Sequence, residues 1–141
     1  MRGPYIPNDE LLHTSAPLDI WDICKKEANR SPMKKFKVGA VIFKSDEIIG
    51  TGCAHPSHET YQTSCTLHAE RHALRRSNAK VLEGAWIAIY TLTSAGGCAW
   101  SSRPCYGCAL ALYNKDIERI IFPERKDNSW DIISIHLVDL Y

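Results

Sequence analysis

Residues 85–122 read AWIAIYTLTSAGGCAWSSRPCYGCALALYNKDIERIIF, and this stretch decides the fold. Ala85 to Leu92 is a mostly apolar run of strand length, as expected of a strand covered on both faces. Thr93 to Arg103 is a Gly/Ser loop. Pro104 suits a first helical turn, where its missing N–H costs nothing, and the helix it opens runs to about Asn114. Glu118 to Phe122 returns to strand composition. Strand, helix and strand in that order imply a parallel portion of sheet.

Working outward, Leu67 to Ser77 (LHAERHALRRS) has good helix formers, with Ala69, Ala73 and Leu74 on the face to be buried. Lys37 to Phe43 (KVGAVIF) and Glu47 to Cys53 (EIIGTGC) flank the polar pair Ser45-Asp46 and read as a hairpin. Ala54 to Thr66, rich in His, Ser and Thr, reads as a loop. Asp19 to Ala28 places Ile20, Ile23 and Cys24 at helical spacing, with Pro32 shortly after, which predicts a helix. Residues 1–17 read as an irregular N-terminal arm and Ser129 to Leu140 as a last helix. No repeat or linker divides residues 1–141, so one α/β domain is expected.

A chain of 141 residues can bury a core without disulfides or added subunits. Its 17 basic and 16 acidic residues nearly cancel, so overall charge does not recommend a nucleic-acid partner. Apolar runs are too short to span a membrane, and Met1 to Glu10, with Pro4 and Pro7, lacks the apolar core of a signal peptide. A cytoplasmic protein is expected. Of six cysteines, two stand as Cys105-Tyr106-Gly107-Cys108, a spacing that in a reducing compartment points to metal or redox chemistry.

Two short motifs carry the chemistry: His68-Ala69-Glu70 and Pro104-Cys105-Tyr106-Gly107-Cys108. Imidazole nitrogen and thiolate sulfur suit Zn2+, and three protein ligands (His68, Cys105 and Cys108) leave a fourth position for water. A Cys-x-x-Cys pair at a helix start can put both sulfurs on one ion, where backbone N–H dipoles favour the thiolates. Glu70, two residues from His68, is placed to shuttle protons as the catalytic carboxylate. Each motif alone is weak. Together, each opening a predicted helix behind a loop, they form the signature of zinc-dependent nucleobase deaminases.

From about Lys37 to Phe122 the chain resembles the cytidine/deoxycytidylate deaminase superfamily, most closely the deoxycytidylate type. The segments that carry the likeness are VGAVIF, IIGTG, HAERHAL, PCYGCALAL and IERIIF. The resemblance implies a three-layer cytidine-deaminase-like fold, with a mixed central sheet of about five strands flanked by helices. It also implies hydrolytic deamination: hydroxide attacks the amine-bearing ring carbon, Glu70 moves protons and ammonia leaves. In the same terms the Ala69 N–H would bind the base carbonyl and the Cys105 N–H the reacting oxygen. The Arg103 carbonyl would face the departing amine. Oligomers are common in the family, so a homo-oligomer is expected.

Three departures from the family pattern concern the substrate. Gly52-Cys53-Ala54-His55 stands where many relatives have Gly-x-Asn, which moves a substrate contact, His55 being the replacement proposed. His72 stands where deoxycytidylate deaminases often have Asn. Thr93 to Arg103 is longer than usual and carries Trp100, as a lid or stacking element.

Plainer readings stand beside these. Cys65 with His68, Cys105 and Cys108 would make a closed structural zinc knuckle, a reading that leaves Glu70 unexplained. A thiol redox pair ignores both His68 and Glu70. Arg71, Arg75 and Arg76 suit a solvated face as well as a phosphate. Cys24, Cys53 and Cys98 read as unliganded thiols. The leading function is deamination of a free cytosine nucleotide or nucleoside, with dCMP to dUMP the best single choice. A polynucleotide base deaminase acting on tRNA or single-stranded DNA is the alternative, and a non-catalytic zinc module the third.

Overall fold

The computed structural model describes residues 19–56, 66–94, 96–127 and 129–141. The expected irregular arm at residues 1–17 and most of the 54–66 loop, with His58 and Cys65, lie outside the described residues.

Five strands build the main sheet: β1 (Phe36–Lys44), β2 (Glu47–Cys53), β5 (Trp86–Thr93), β6 (Arg119–Lys126) and β7 (Ser129–His136). Their order is β2-β1-β5-β6-β7. A two-stranded ladder, β3 (His55–Pro56) with β4 (Thr66–Leu67), follows β2. The helices are α1 (Ile20–Arg30), α2 (Ala69–Arg75) and α3 (Tyr106–Asn114).

Alternation along the strands sorts side chains to two faces. Ala40, Ile42, Ile87, Ile89, Ile120 and Phe122 pack with Ala69, Ala73, Ala109 and Leu112 of α2 and α3. Val41, Phe43, Ala88, Tyr90 and Ile121 pack with Ile20, Trp21 and Cys24 of α1. The result is the expected three-layer arrangement of a mixed sheet between helices. The β1–β2 hairpin turns through Ser45, whose φ of 54° lies in the left-handed region. β1 pairs antiparallel with β5, whereas β5 and β6 run parallel across α3, as the strand–helix–strand order requires.

One expectation fails. Ser129 to Leu140 is not a helix: β7 runs antiparallel to β6 through His136, and only Leu137–Asp139 forms a 3-10 turn. Three isoleucines explain it. Ile133 and Ile135 pack on the α2/α3 side while Trp130 and Ile132 pack on the α1 side, a period-2 pattern in a β-branched run that also fits short helical spacing.

Glycine brings α2 onto the sheet. A Cβ on Gly52 would run into the backbone of Ala69 and Ala73, so the helix lies directly against β2 at that point. We expect Gly52→Ala to force α2 away from β2 and to destabilise the fold by about 1–3 kcal/mol, measured by denaturant unfolding.

Candidate metal centre and reaction pocket

Both motifs fall at helix starts. His68 (φ −70°, ψ 150°) and Cys105 (φ −68°, ψ 162°) are extended residues immediately before α2 and α3, so each side chain leaves the backbone where the helix begins. The sheet holds these two starts together. His68 Nδ1 stands 3.0 Å from Cys108 Sγ and 3.7 Å from Cys105 Sγ. All three donor atoms lie within 4.8 Å of one another. Tetrahedral zinc, with bonds of about 2.0 Å to nitrogen and 2.3 Å to sulfur, spaces its ligand atoms by roughly 3.5–3.8 Å. The two nitrogen–sulfur distances lie on either side of the roughly 3.5 Å expected between nitrogen and sulfur, and the donor set suits the ion.

Glu70 lies one helical residue beyond Ala69 and is only 4% exposed. Burial pushes its carboxyl above the usual carboxylate range, opposed by its own backbone N–H, His68, the Cys108 thiol and Arg71. Burial, then the Glu70 charge, likewise pushes the Cys108 thiol up. Arg71 offsets the rise at both groups only in part, and a metal held by His68, Cys105 and Cys108 would add positive charge beside them.

His68, Glu70 and Cys105, but not Cys108, line a cavity of about 350 Å3. His68, Ala69 and Glu70 form one wall, and Ser102, Arg103, Pro104 and Cys105 a second. Lys35, Phe36, Val38 and Ala54 close a third. A larger hollow of about 650 Å3 lies across the sheet beside α1 and holds none of the motif residues. Tyr90 and Leu92 face that hollow, Ile89 and Thr91 the reaction cavity.

The 93–103 segment is stitched down. The Thr91 amide donates to Ser102 Oγ at 3.0 Å, the Ser102 amide to the Pro123 carbonyl at 3.2 Å, and the Ala99 amide to the Thr91 carbonyl at 2.8 Å. Trp100, 59% exposed, sits under the Arg125 guanidinium at 5.1 Å and does not line the reaction cavity. The Arg103 side chain is tied to Glu124 at 3.4 Å and donates to the Leu140 carbonyl at 3.3 Å. Its main chain is thereby held at the cavity wall. Burial alone would raise the Glu124 carboxyl, but Ser101 and Arg103 hold it below its ordinary value. The Tyr141 hydroxyl donates to the Pro104 carbonyl.

The remaining sequence expectations sort as follows. Ala69 and Arg103 line the cavity, and Ala54 lines it where His55 does not. His55 instead holds the Cys53 carbonyl through Nδ1 and meets His72 edge to face. Cys24 is buried and donates to the Ala88 carbonyl, and burial takes the Cys98 thiol to about 12. Arg71, Arg75 and Arg76 are exposed. Sequence reasoning missed Phe36 and Ser102, and read Lys35 only as part of a weakly basic stretch with Lys34 and Lys37; no motif marks the three as cavity residues.

Residues 16–124 match the model of the cytidine and deoxycytidylate deaminase zinc-binding region. The chain belongs to that family. A deoxycytidylate deaminase of Mycobacterium phage D29 is 27% identical over 132 residues, spanning 74% of this chain and 94% of the phage protein. The fold matches a cytidine deaminase from Burkholderia pseudomallei (TM-score 0.63, 21% identity, 89% of this chain and 95% of that one). It also matches a dCMP deaminase from cyanophage S-TIM5 (TM-score 0.53, 18% identity, 77% and 82%). Among the described residues of this deaminase-family chain, no helix is long and apolar enough to cross a membrane.

Removal of one thiolate tests the centre. Cys108→Ser is expected to weaken zinc binding there by at least about tenfold, read by competition with a chromophoric chelator.

Proposed function

We propose that the protein is a zinc-dependent hydrolytic deaminase of a free cytosine nucleotide or nucleoside, with dCMP to dUMP the favoured reaction. One observation carries this reading: His68 and Cys105 of the three-donor cluster line the same cavity as the buried Glu70. A closed structural site would not need a carboxylate there. The volume, about 350 Å3, suits a small ligand. Lys35 on its wall has no ion pair among the described residues, which favours a substrate with a negative charge. The phage relative, a deoxycytidylate deaminase, supports the same choice.

Zinc, when bound at His68, Cys105 and Cys108, supplies Lewis-acid activation of water near neutral pH. The chain's own groups do the rest. The Ala69 N–H holds the base carbonyl, while Phe36 offers a ring against which the base can pack. Glu70 takes a proton from the attacking water and passes it to the exocyclic amine. A carbon–oxygen bond forms, the carbon–nitrogen bond breaks and ammonia leaves. The Arg103 carbonyl accepts from the departing amine, and the Cys105 N–H donates to the new oxygen. The clamp from Glu124 and Leu140 onto Arg103 keeps that turn in place.

Two further parts belong to this reading. Tyr106, Leu110 and Tyr113 leave an apolar strip of α3 exposed, a surface suited to a second copy in a homo-oligomer. All five described cysteines are free, in keeping with a reducing, cytoplasmic setting.

Two experiments test the proposal. In a panel of dCMP, deoxycytidine, cytosine, dCTP, adenosine, guanine and a mixed single-stranded oligonucleotide, we expect the amine-to-oxygen mass change in dCMP. Conversion of the oligonucleotide alone would overturn the free-nucleotide reading and favour the polynucleotide one. Glu70→Gln is expected to keep zinc and melting temperature while turnover falls by about 10²–10⁴-fold. Full activity in that variant would remove Glu70 from the mechanism.

A further inference from the structure

A second group of metal-type side chains lies outside the reaction cavity, at the free edge of β2. Cys53 Sγ and one ring nitrogen from each of His55 and His72 lie within 4.8 Å of one another. Cys53 ends β2, His55 opens β3, and His72 stands on α2 one turn beyond His68. Three separate elements meet there. Cys53 is buried and both histidines are half-buried, so the group is close to solvent without being open to it.

Hydrogen bonds orient the rings. His55 Nδ1 lies 2.9 Å from the Cys53 carbonyl, and a carbonyl can only accept, so the proton sits on Nδ1. Nε2 therefore keeps its lone pair. An imidazole held to a backbone carbonyl through one N–H, with the other nitrogen open, is the usual posture of a metal-ligating histidine. His72 Nδ1 accepts the Cys53 amide at 3.0 Å, and the two rings meet edge to face with centroids 4.4 Å apart.

The charges around the group pull both ways. Glu27, buried in α1, acts on both Cys53 and His72, while Arg76 opposes it at both and Arg30 at Cys53. Arg30 is itself engaged by Glu27 Oε1 at 3.2 Å, and Thr51 donates to the same oxygen at 3.1 Å. Glu27 Oε2 is buried with no hydrogen-bond partner among the described residues. A carboxylate oxygen left without a donor in the interior is costly, and a cation nearby relieves it.

We propose that Cys53, His55 and His72 form a second metal site, separate from the His68–Cys105–Cys108 centre, for a borderline-soft divalent cation of the zinc class. One thiolate with two imidazoles selects that class over calcium or magnesium, which prefer oxygen. On binding, the Cys53 S–H bond breaks, a sulfur–metal bond forms and the proton leaves to water. His55 ligates through Nε2. His72 turns its Nδ1 lone pair from the Cys53 amide to the ion and keeps the proton on Nε2, so one backbone hydrogen bond is exchanged for a metal–nitrogen bond. Water fills the fourth position. The ion ties the end of β2 to α2, the helix that follows His68 and carries Glu70, and its role is structural. None of its three ligands lines the reaction cavity, so the site stands whether or not the proposed reaction does.

Zinc stoichiometry tests this directly. Full-length protein is dialysed to equilibrium against micromolar free Zn2+ and analysed by plasma mass spectrometry, with circular dichroism as the check on folding. Two ions per chain are expected in the wild type, and one in both His55→Gln and Cys53→Ser. A Cys105→Ser/Cys108→Ser variant is expected to keep one ion and, with Co2+ in place of zinc, to show thiolate-to-cobalt charge-transfer absorption. Adding Cys53→Ser to that variant should abolish the band. One ion per wild-type chain, unchanged by His55→Gln, overturns the proposal. So does a charge-transfer band that survives Cys53→Ser.

Discussion

The constraint on which the structure depends is the contact between α2 and β2 at Gly52, where helix backbone lies against strand backbone with no side chain between them. α2 is short, and the residues that matter sit at its very start. His68 and Glu70 therefore go wherever this contact sends them. α3 meets the same face of the sheet through Ala109 and Leu112, and the small residues Ala69, Ala73 and Ala109 let both helices come close. Packing of backbone and alanine, rather than large side chains, brings His68 within 3.0 Å of Cys108.

That proximity gathers titratable groups, with Glu70 and Cys108 in a buried setting. Burial raises both the Glu70 carboxyl and the Cys108 thiol, and the Glu70 charge adds to the rise at Cys108. A divalent ion reverses the preference, because it turns the thiols into thiolates and gives the carboxylate a neighbour of opposite charge. The core brings the three donors together, and that donor set suits a divalent ion of the zinc class. The opposite wall is built differently, from a loop held by hydrogen bonds to β5 and β6 and by the Arg103–Glu124 pair.

Much of this was legible in the sequence. The strand–helix–strand reading of residues 85–122 holds, as do the hairpin and the helices at residues 20–30 and 69–75, because each carries a local signal: a short apolar run, a polar turn, a proline at a helix start or a helical apolar spacing. Ser129 to Leu140 was misread for the converse reason. This edge strand packs partly against both helical layers, which places apolar residues at adjacent positions, and over eight residues Trp130, Ile132, Ile133 and Ile135 satisfy helix and strand alike. Only pairing with β6 resolves that ambiguity, and pairing is a long-range fact.

What the sequence determined by itself is the family and the candidate site: His68, Glu70, Cys105 and Cys108 stand out because residue type and spacing within each helix start are local properties. The tertiary structure decided everything that depends on two distant segments meeting. It puts Ala54 rather than His55 at the cavity, brings Lys35, Phe36 and Ser102 to its walls, and gathers Cys53, His55 and His72 at the sheet edge. Strand register sets these neighbours, and a shift of one residue would send each side chain to the other face. No spacing along the chain records that choice.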